Sequence, residues 1–76
     1  PYYLSHLFKE YTGSNFTDYL AERRIERAIE LMRQPELTLA QIGEMVGYPD
    51  QNYFSRVFRK RCGTSARQYR KQLLSE

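Results

Sequence analysis

The chain has 76 residues, 41% of them hydrophobic, with 12 basic against 9 acidic side chains and a net charge of +3. That composition describes one small domain, close to the lower size limit for a self-sufficient core and too apolar to be disordered. No signal peptide is visible in these residues, nor any apolar run of the roughly twenty residues a membrane span needs, and the single cysteine excludes an internal disulfide or a cysteine-rich metal site and fits a reducing compartment.

Taken in chain order, the predicted elements are all helices. Pro1 suits a first-turn position, and Leu4, Leu7 and Phe8 recur at helical spacing through residues 2–11. Thr12 and Gly13 end that helix. Ser14 or Asn15 can cap a second helix over residues 16–33, which Gln34 and Pro35 close. Thr38 caps a third over 39–46, with Gln41 as its capping-box partner, and Gly47 closes it. Tyr48 before Pro49 reads as a turn, because the residue before a proline avoids the helical region. Asp50 caps a fourth helix over 51–62, ended by Gly63, and Ser65 caps a fifth over 66–74. No stretch alternates as a strand would, so the fold class is all-α.

Residues 53–63, YFSRVFRKRCG, echo residues 3–13, YLSHLFKEYTG. At an offset of fifty positions, Tyr3, Ser5, Phe8, Gly13 and Tyr19 meet Tyr53, Ser55, Phe58, Gly63 and Tyr69. A repeat of this period marks duplicated supersecondary units, and two copies suit a tandem pair rather than a solenoid. On a wheel of about 100° per residue, Phe54, Val57, Phe58 and the stem of Arg61 share one face. Asn52, Arg56, Arg59 and Lys60 lie opposite, flanked by Ser55. In the first copy Leu4, Leu7 and Phe8 lie inside, and Tyr2, His6 and Lys9 lie outside, flanked by Ser5. The inner positions are kept while the outer ones change, as two sequence readers built on one plan would show. Tyr53 and Tyr69, present in both copies, read as core, and Cys62 reads as structural.

The helices over 39–46 and 51–62, with a glycine-containing turn over 47–50, form a helix-turn-helix. Leu39, Ile42, Gly43 and Val46 make the inner face of its first helix, Gly43 allowing close approach. Its second helix would enter a DNA major groove, where asparagine pairs with adenine and arginine with guanine. Charge distribution agrees. Residues 51–76 hold Arg56, Arg59, Lys60, Arg61, Arg67, Arg70 and Lys71 against Glu76 alone, whereas residues 14–50 are net acidic. A basic end of this kind suits a polyanion. Arg61, Arg67, Arg70 and Lys71 read as a solvated basic face. The rival reading is a helical protein–protein interaction module without DNA binding. One histidine and one cysteine far apart, with no phosphate loop and no paired carboxylates, argue against an enzyme and against a bound metal or other cofactor.

GYPDQNYFSRVFRKRCGTSARQYRK resembles the C-terminal signature of the AraC/XylS family of bacterial transcription regulators, and YLSHLFKEYTGSNFTDYLAERRIERAIELM resembles that family's first recognition helix and connector helix. Both motifs are similar to members fused to a response-regulator receiver. The sequence departs from the family pattern at Ala66 for proline, Gly43 for alanine and Pro49 for serine. The resemblance implies tandem helix-turn-helix units: a recognition helix in 1–13, a connector in 14–35, and a complete second unit with a C-terminal helix in 38–76. It implies base contacts by Tyr2, Ser5, His6, Gln51, Asn52, Ser55 and Arg56, and phosphate contacts by Lys9, Arg59 and Lys60. It also implies double-stranded DNA and RNA polymerase as partners, an N-terminal signal-sensing domain, and a place at the bacterial nucleoid in the cytoplasm.

Two further expectations concern the connector and the first copy. Phe16, Tyr19 and Leu20 share one face of the connector and Ile25, Ala28, Leu31 and Met32 another, which suits a helix packed against two units. By the offset, the first copy's partner helix would precede Pro1. The chain is therefore expected to be a fragment, with Leu4, Leu7 and Phe8 short of cover.

Overall fold

The computed structural model describes residues 16–75. Four helices make up the described residues: α1 (Phe16–Met32), α2 (Leu39–Met45), α3 (Gln51–Cys62) and α4 (Ala66–Leu74). The expected helix over residues 2–11, and the caps Ser14 and Asn15, lie outside the described residues.

The boundaries follow from local chemistry. The Thr38 hydroxyl accepts from the Gln41 N–H at 3.1 Å, and the Gln41 side chain accepts in return from the Thr38 N–H at 2.8 Å. This capping box satisfies two of the N–H groups that a helix start leaves without partners. Asp50 Oδ1 accepts from the N–H groups of Asn52 and Tyr53 at 2.9 and 3.3 Å, and Ser65 Oγ accepts from Gln68 at 3.1 Å. Gly63 closes α3 in the left-handed region at φ 77°, where its N–H reaches the Arg59 carbonyl. The closures of α1 at Met32 and of α2 at Met45 each come one residue earlier than the pattern suggested.

α1 packs against α2, α3 and α4 in turn. Ile25, Ala28, Leu31 and Met32 from its C-terminal half are buried, together with Ile42, Val46, Tyr48, Phe54, Phe58, Ala66 and Leu73. Leu39 and Tyr69 are half-buried against this cluster. A file of aromatic rings runs through it. Tyr48 stacks on Phe54 at 6.0 Å between centroids, Phe54 meets Phe58 edge-on at 6.1 Å, and Phe58 meets Tyr69 edge-on at 5.5 Å. Full burial of Phe54 and Phe58 contributes about 1.5–3 kcal/mol each.

Gly43 is buried where α2 meets α3. A Cβ there would come within 3.0 Å of the Tyr48 carbonyl and 3.2 Å of the Phe54 ring. The close approach expected from its lack of a side chain is therefore present. On the N-terminal half of α1, Phe16, Tyr19 and Leu20 are half-buried, with the first two rings stacked at 6.5 Å. The expectation that this face serves the first unit involves residues 1–13, outside the described residues.

Candidate nucleic-acid interface

α3 divides its side chains sharply. Phe54 and Phe58 are buried and Val57 is half-buried, while Asn52, Ser55, Arg56, Arg59 and Lys60 are exposed. The last five form one stripe facing away from the core, as helical spacing requires. Among the described residues no carboxylate pairs with Arg56, Arg59 or Lys60. The other basic residues contrast with them. Arg23 pairs with Glu26 at 3.1 Å and Arg27 with Glu30 at 3.0 Å, both on the surface of α1. Arg61 reaches Asp18 at 3.2 Å, tying the end of α3 to the start of α1.

The structure places the other named residues of this region as follows. Gln51 is half-buried, and its side-chain amide donates to the Leu39 carbonyl at 3.4 Å, a long bond that turns it toward α2. Tyr53 is not core: it is 51% exposed, and its ring rests edge-on against Tyr48 at 5.6 Å. It lies at the seam between the two faces of α3, where recurrence in a repeat says nothing about burial. Arg61 and Arg70 are not part of a free basic face. Arg70 donates from Nε to the Met32 carbonyl at 3.2 Å and from Nη2 to the Gln34 carbonyl at 2.6 Å. It thus caps the C-terminus of α1, where cations are favoured by the helix dipole. Cys62 is half-buried, and burial pushes its thiol pKa up, which disfavours the thiolate.

Sequence reasoning treated Tyr48 only as a turn residue. The structure buries it at the centre of the turn, with its N–H bonded to the Gly43 carbonyl at 2.7 Å. The Arg24 guanidinium lies over the outer side of the turn, 5.2 Å from the Tyr48 ring centroid. An aromatic set between glycine and proline at a helix junction was the available signal. The candidates Tyr2, Ser5, His6 and Lys9 lie outside the described residues.

No group of acidic, histidine or cysteine side chains among the described residues could hold a metal ion. No helix among them is long and apolar enough to cross a membrane.

A sequence model of the family described as "Helix-turn-helix domain" matches residues 1–72. The arabinose operon regulatory protein of Escherichia coli is 39% identical over 70 residues, covering 92% of this chain and 24% of that protein. The chain belongs to the AraC-type helix-turn-helix family. Another relative within the AraC-type set is the uncharacterized transcriptional regulatory protein YesN of Bacillus subtilis, 35% identical over 74 residues, covering 95% of this chain and 20% of YesN. Among solved structures, the C-terminal domain of AraT, a response regulator from Geobacillus stearothermophilus, superposes with a TM-score of 0.84 at 43% identity. That match covers 95% of this chain and 60% of that one. The C-terminal domain of the response regulator yesN from Fusobacterium nucleatum gives 0.78 at 43%, over 90% and 66%. The all-α fold of this AraC-type domain matches these neighbours. The chain spans about a quarter of the length of the curated relatives it matches, 27% of one and 24–25% of others.

Proposed function

We propose that this chain binds double-stranded DNA sequence-specifically, as the C-terminal part of a bacterial transcription regulator. The observation that carries the reading is the outward stripe of α3. Asn52, Ser55 and Arg56 stand exposed near the start of the second helix of a helix-turn-helix, followed by Arg59 and Lys60, and none of these cations is paired with a carboxylate among the described residues. Side chains near the start of such a helix reach base edges and those further along reach the backbone. Asn52, Ser55 and Arg56 are assigned to bases, Arg59 and Lys60 to phosphates. Gln51 joins the base contacts only by leaving its long bond to Leu39.

A second recognition helix is assigned to residues 1–13, with Tyr2, Ser5 and His6 toward bases and Lys9 toward phosphate. α1, at 17 residues, is about 25 Å long. Successive major grooves on one side of DNA are about 34 Å apart, so this connector sets two tandem readers near one helical turn, with bending of the duplex closing the difference. The target is therefore asymmetric. The structural neighbours are C-terminal domains of response regulators, which supports a signal-sensing domain N-terminal to this one in the whole protein. A cytoplasmic place at the nucleoid and contact with RNA polymerase belong to the same proposal.

The test is binding to duplex DNA across a range of salt, with Arg56→Ala beside the parent. Affinity should fall steeply with salt as counterions are released. Arg56→Ala should lose about 1–3 kcal/mol concentrated at one base pair. A uniform loss over all sequences reassigns Arg56 to phosphate, and affinity insensitive to salt refutes DNA binding.

A further inference from the structure

Arg24 differs from its neighbours on α1. Arg23 and Arg27 each meet a glutamate three positions on. Three and four positions either side of Arg24 the sequence offers only Leu20, Ala21, Arg27 and Ala28. Its guanidinium instead lies 5.2 Å from the Tyr48 ring centroid. Gly47 makes room for it: at φ +96° that residue leaves open a position where a Cβ would stand 3.1–3.3 Å from the Arg24 guanidinium atoms. The aromatic ring and the missing side chain together hold the guanidinium at the turn. An arginine held this way has already lost much of its rotamer freedom, which lowers the cost of one more contact.

Arg24 lines an open groove of about 460 Å³ between α1 and the turn, and the same groove is lined by Tyr48, Asp50, Tyr53 and Arg56. Neither arginine has a carboxylate partner among the described residues. Tyr53 brings a hydroxyl from a ring that is 51% exposed. Asp50 is the groove's acid, but its carboxylate is committed to two N–H groups at 2.9 and 3.3 Å. There it faces the positive end of the α3 dipole, which offsets its charge. Through Arg56 the groove is continuous with the outward stripe of α3.

We propose that this groove binds a backbone phosphate of duplex DNA, with Arg24 as the charged contact and Tyr53 as a neutral donor. The connector helix then touches DNA itself rather than only spacing two readers. This rests on the DNA-binding reading above. The contact carries no base preference, because phosphate is common to every sequence.

The experiment measures binding of this chain to a fluorescent duplex across a salt series, for the parent, Arg24→Gln and Arg24→Lys, with a thermal melt of each. Arg24→Gln should reduce the slope of log affinity against log salt by about 0.9, the signature of one phosphate contact, equally on all duplexes. Arg24→Lys should keep the parental slope. A parental slope that is steep and unchanged in Arg24→Gln, whatever happens to melting, makes Arg24 an internal brace and overturns the phosphate site alone. A parent whose affinity ignores salt overturns the DNA-binding reading and this one with it. Should Arg24→Gln not fold, Tyr53→Phe decides. Loss of its hydroxyl should weaken binding to every duplex by about twofold to tenfold, and unchanged affinity rejects the site.

Discussion

Replacing Arg70 by methionine isolates what one guanidinium contributes to this fold. Methionine keeps an unbranched stem of similar reach, so packing is largely retained. What disappears is the pair of bonds to the Met32 and Gln34 carbonyls, 36–38 residues away in sequence. The bond to Met32 is partly buried and charge-assisted, in the class that contributes about 1.5–3 kcal/mol. The bond to Gln34 is exposed and adds less, about 0.5 kcal/mol by the standard of surface ionic contacts. Loss of a cation at the C-terminus of α1 removes a further 0.3–1 kcal/mol, roughly. The expected destabilisation is about 2–4 kcal/mol. A domain of this size has roughly 4–11 kcal/mol in all. Urea unfolding followed by helical circular dichroism should show the midpoint falling with little change in slope. Each lost kcal/mol should lower the melting temperature by about 4–8 °C. Arg70→Lys, which retains charge but reaches one carbonyl at a time, should recover part of the loss. If Arg70→Met stays within about 0.5 kcal/mol of the parent, the cap contributes nothing and the reasoning fails.

Two further outcomes follow from local geometry. Gly63→Ala meets nothing within 4 Å, so its cost is the left-handed backbone alone, about 1–2 kcal/mol. Gly47→Ala adds contact with the Arg24 guanidinium at 3.1–3.3 Å, so urea unfolding should find it the more damaging of the two, and equal costs would deny that Arg24 is held there. Burial raises the Cys62 thiol pKa, so a thiol reagent should react more slowly with the folded chain than with the unfolded one. The same shift makes its stability contribution complete below the unfolded thiol's pKa and lost as pH rises through the folded one; a titration showing stability gained over that alkaline range would contradict the burial.

The parts of the fold legible in the sequence are those governed by neighbouring residues. Thr38, Asp50, Gly63 and Ser65 act within four positions of themselves, so the limits of α3 and α4 match the reading at both ends. The inner face of α3 was legible for the same reason, since Phe54 and Phe58 are four apart. What escaped depends on contacts distant in sequence. Nothing near Arg70 announces that it meets the end of α1, and nothing near Arg61 announces Asp18. Tyr53 was misplaced because periodicity assigns a seam residue to neither face, and the repeat was allowed to choose. Gln51 met a carbonyl of the preceding helix, a partner set by how closely Gly43 lets the two helices approach.

The burial of Ile25, Ala28, Leu31 and Met32 in one core, with Arg70 locking the last turn, has a mechanical consequence. The C-terminal half of α1 moves with α2, α3 and α4, and the N-terminal half extends from it as an arm, braced to α3 by the exposed Arg61–Asp18 pair. For an arm of about 13 Å, half of the helix, a rocking of about 15° at the core swings the Phe16 end by roughly 3 Å. That displacement is about the rise of one base pair, 3.4 Å or so along a strand. Under the proposed arrangement of two readers on one duplex, packing at Met32 therefore sets how faithfully they keep step. Substitutions there would alter tolerance for spacing between half-sites before they altered preference for any base.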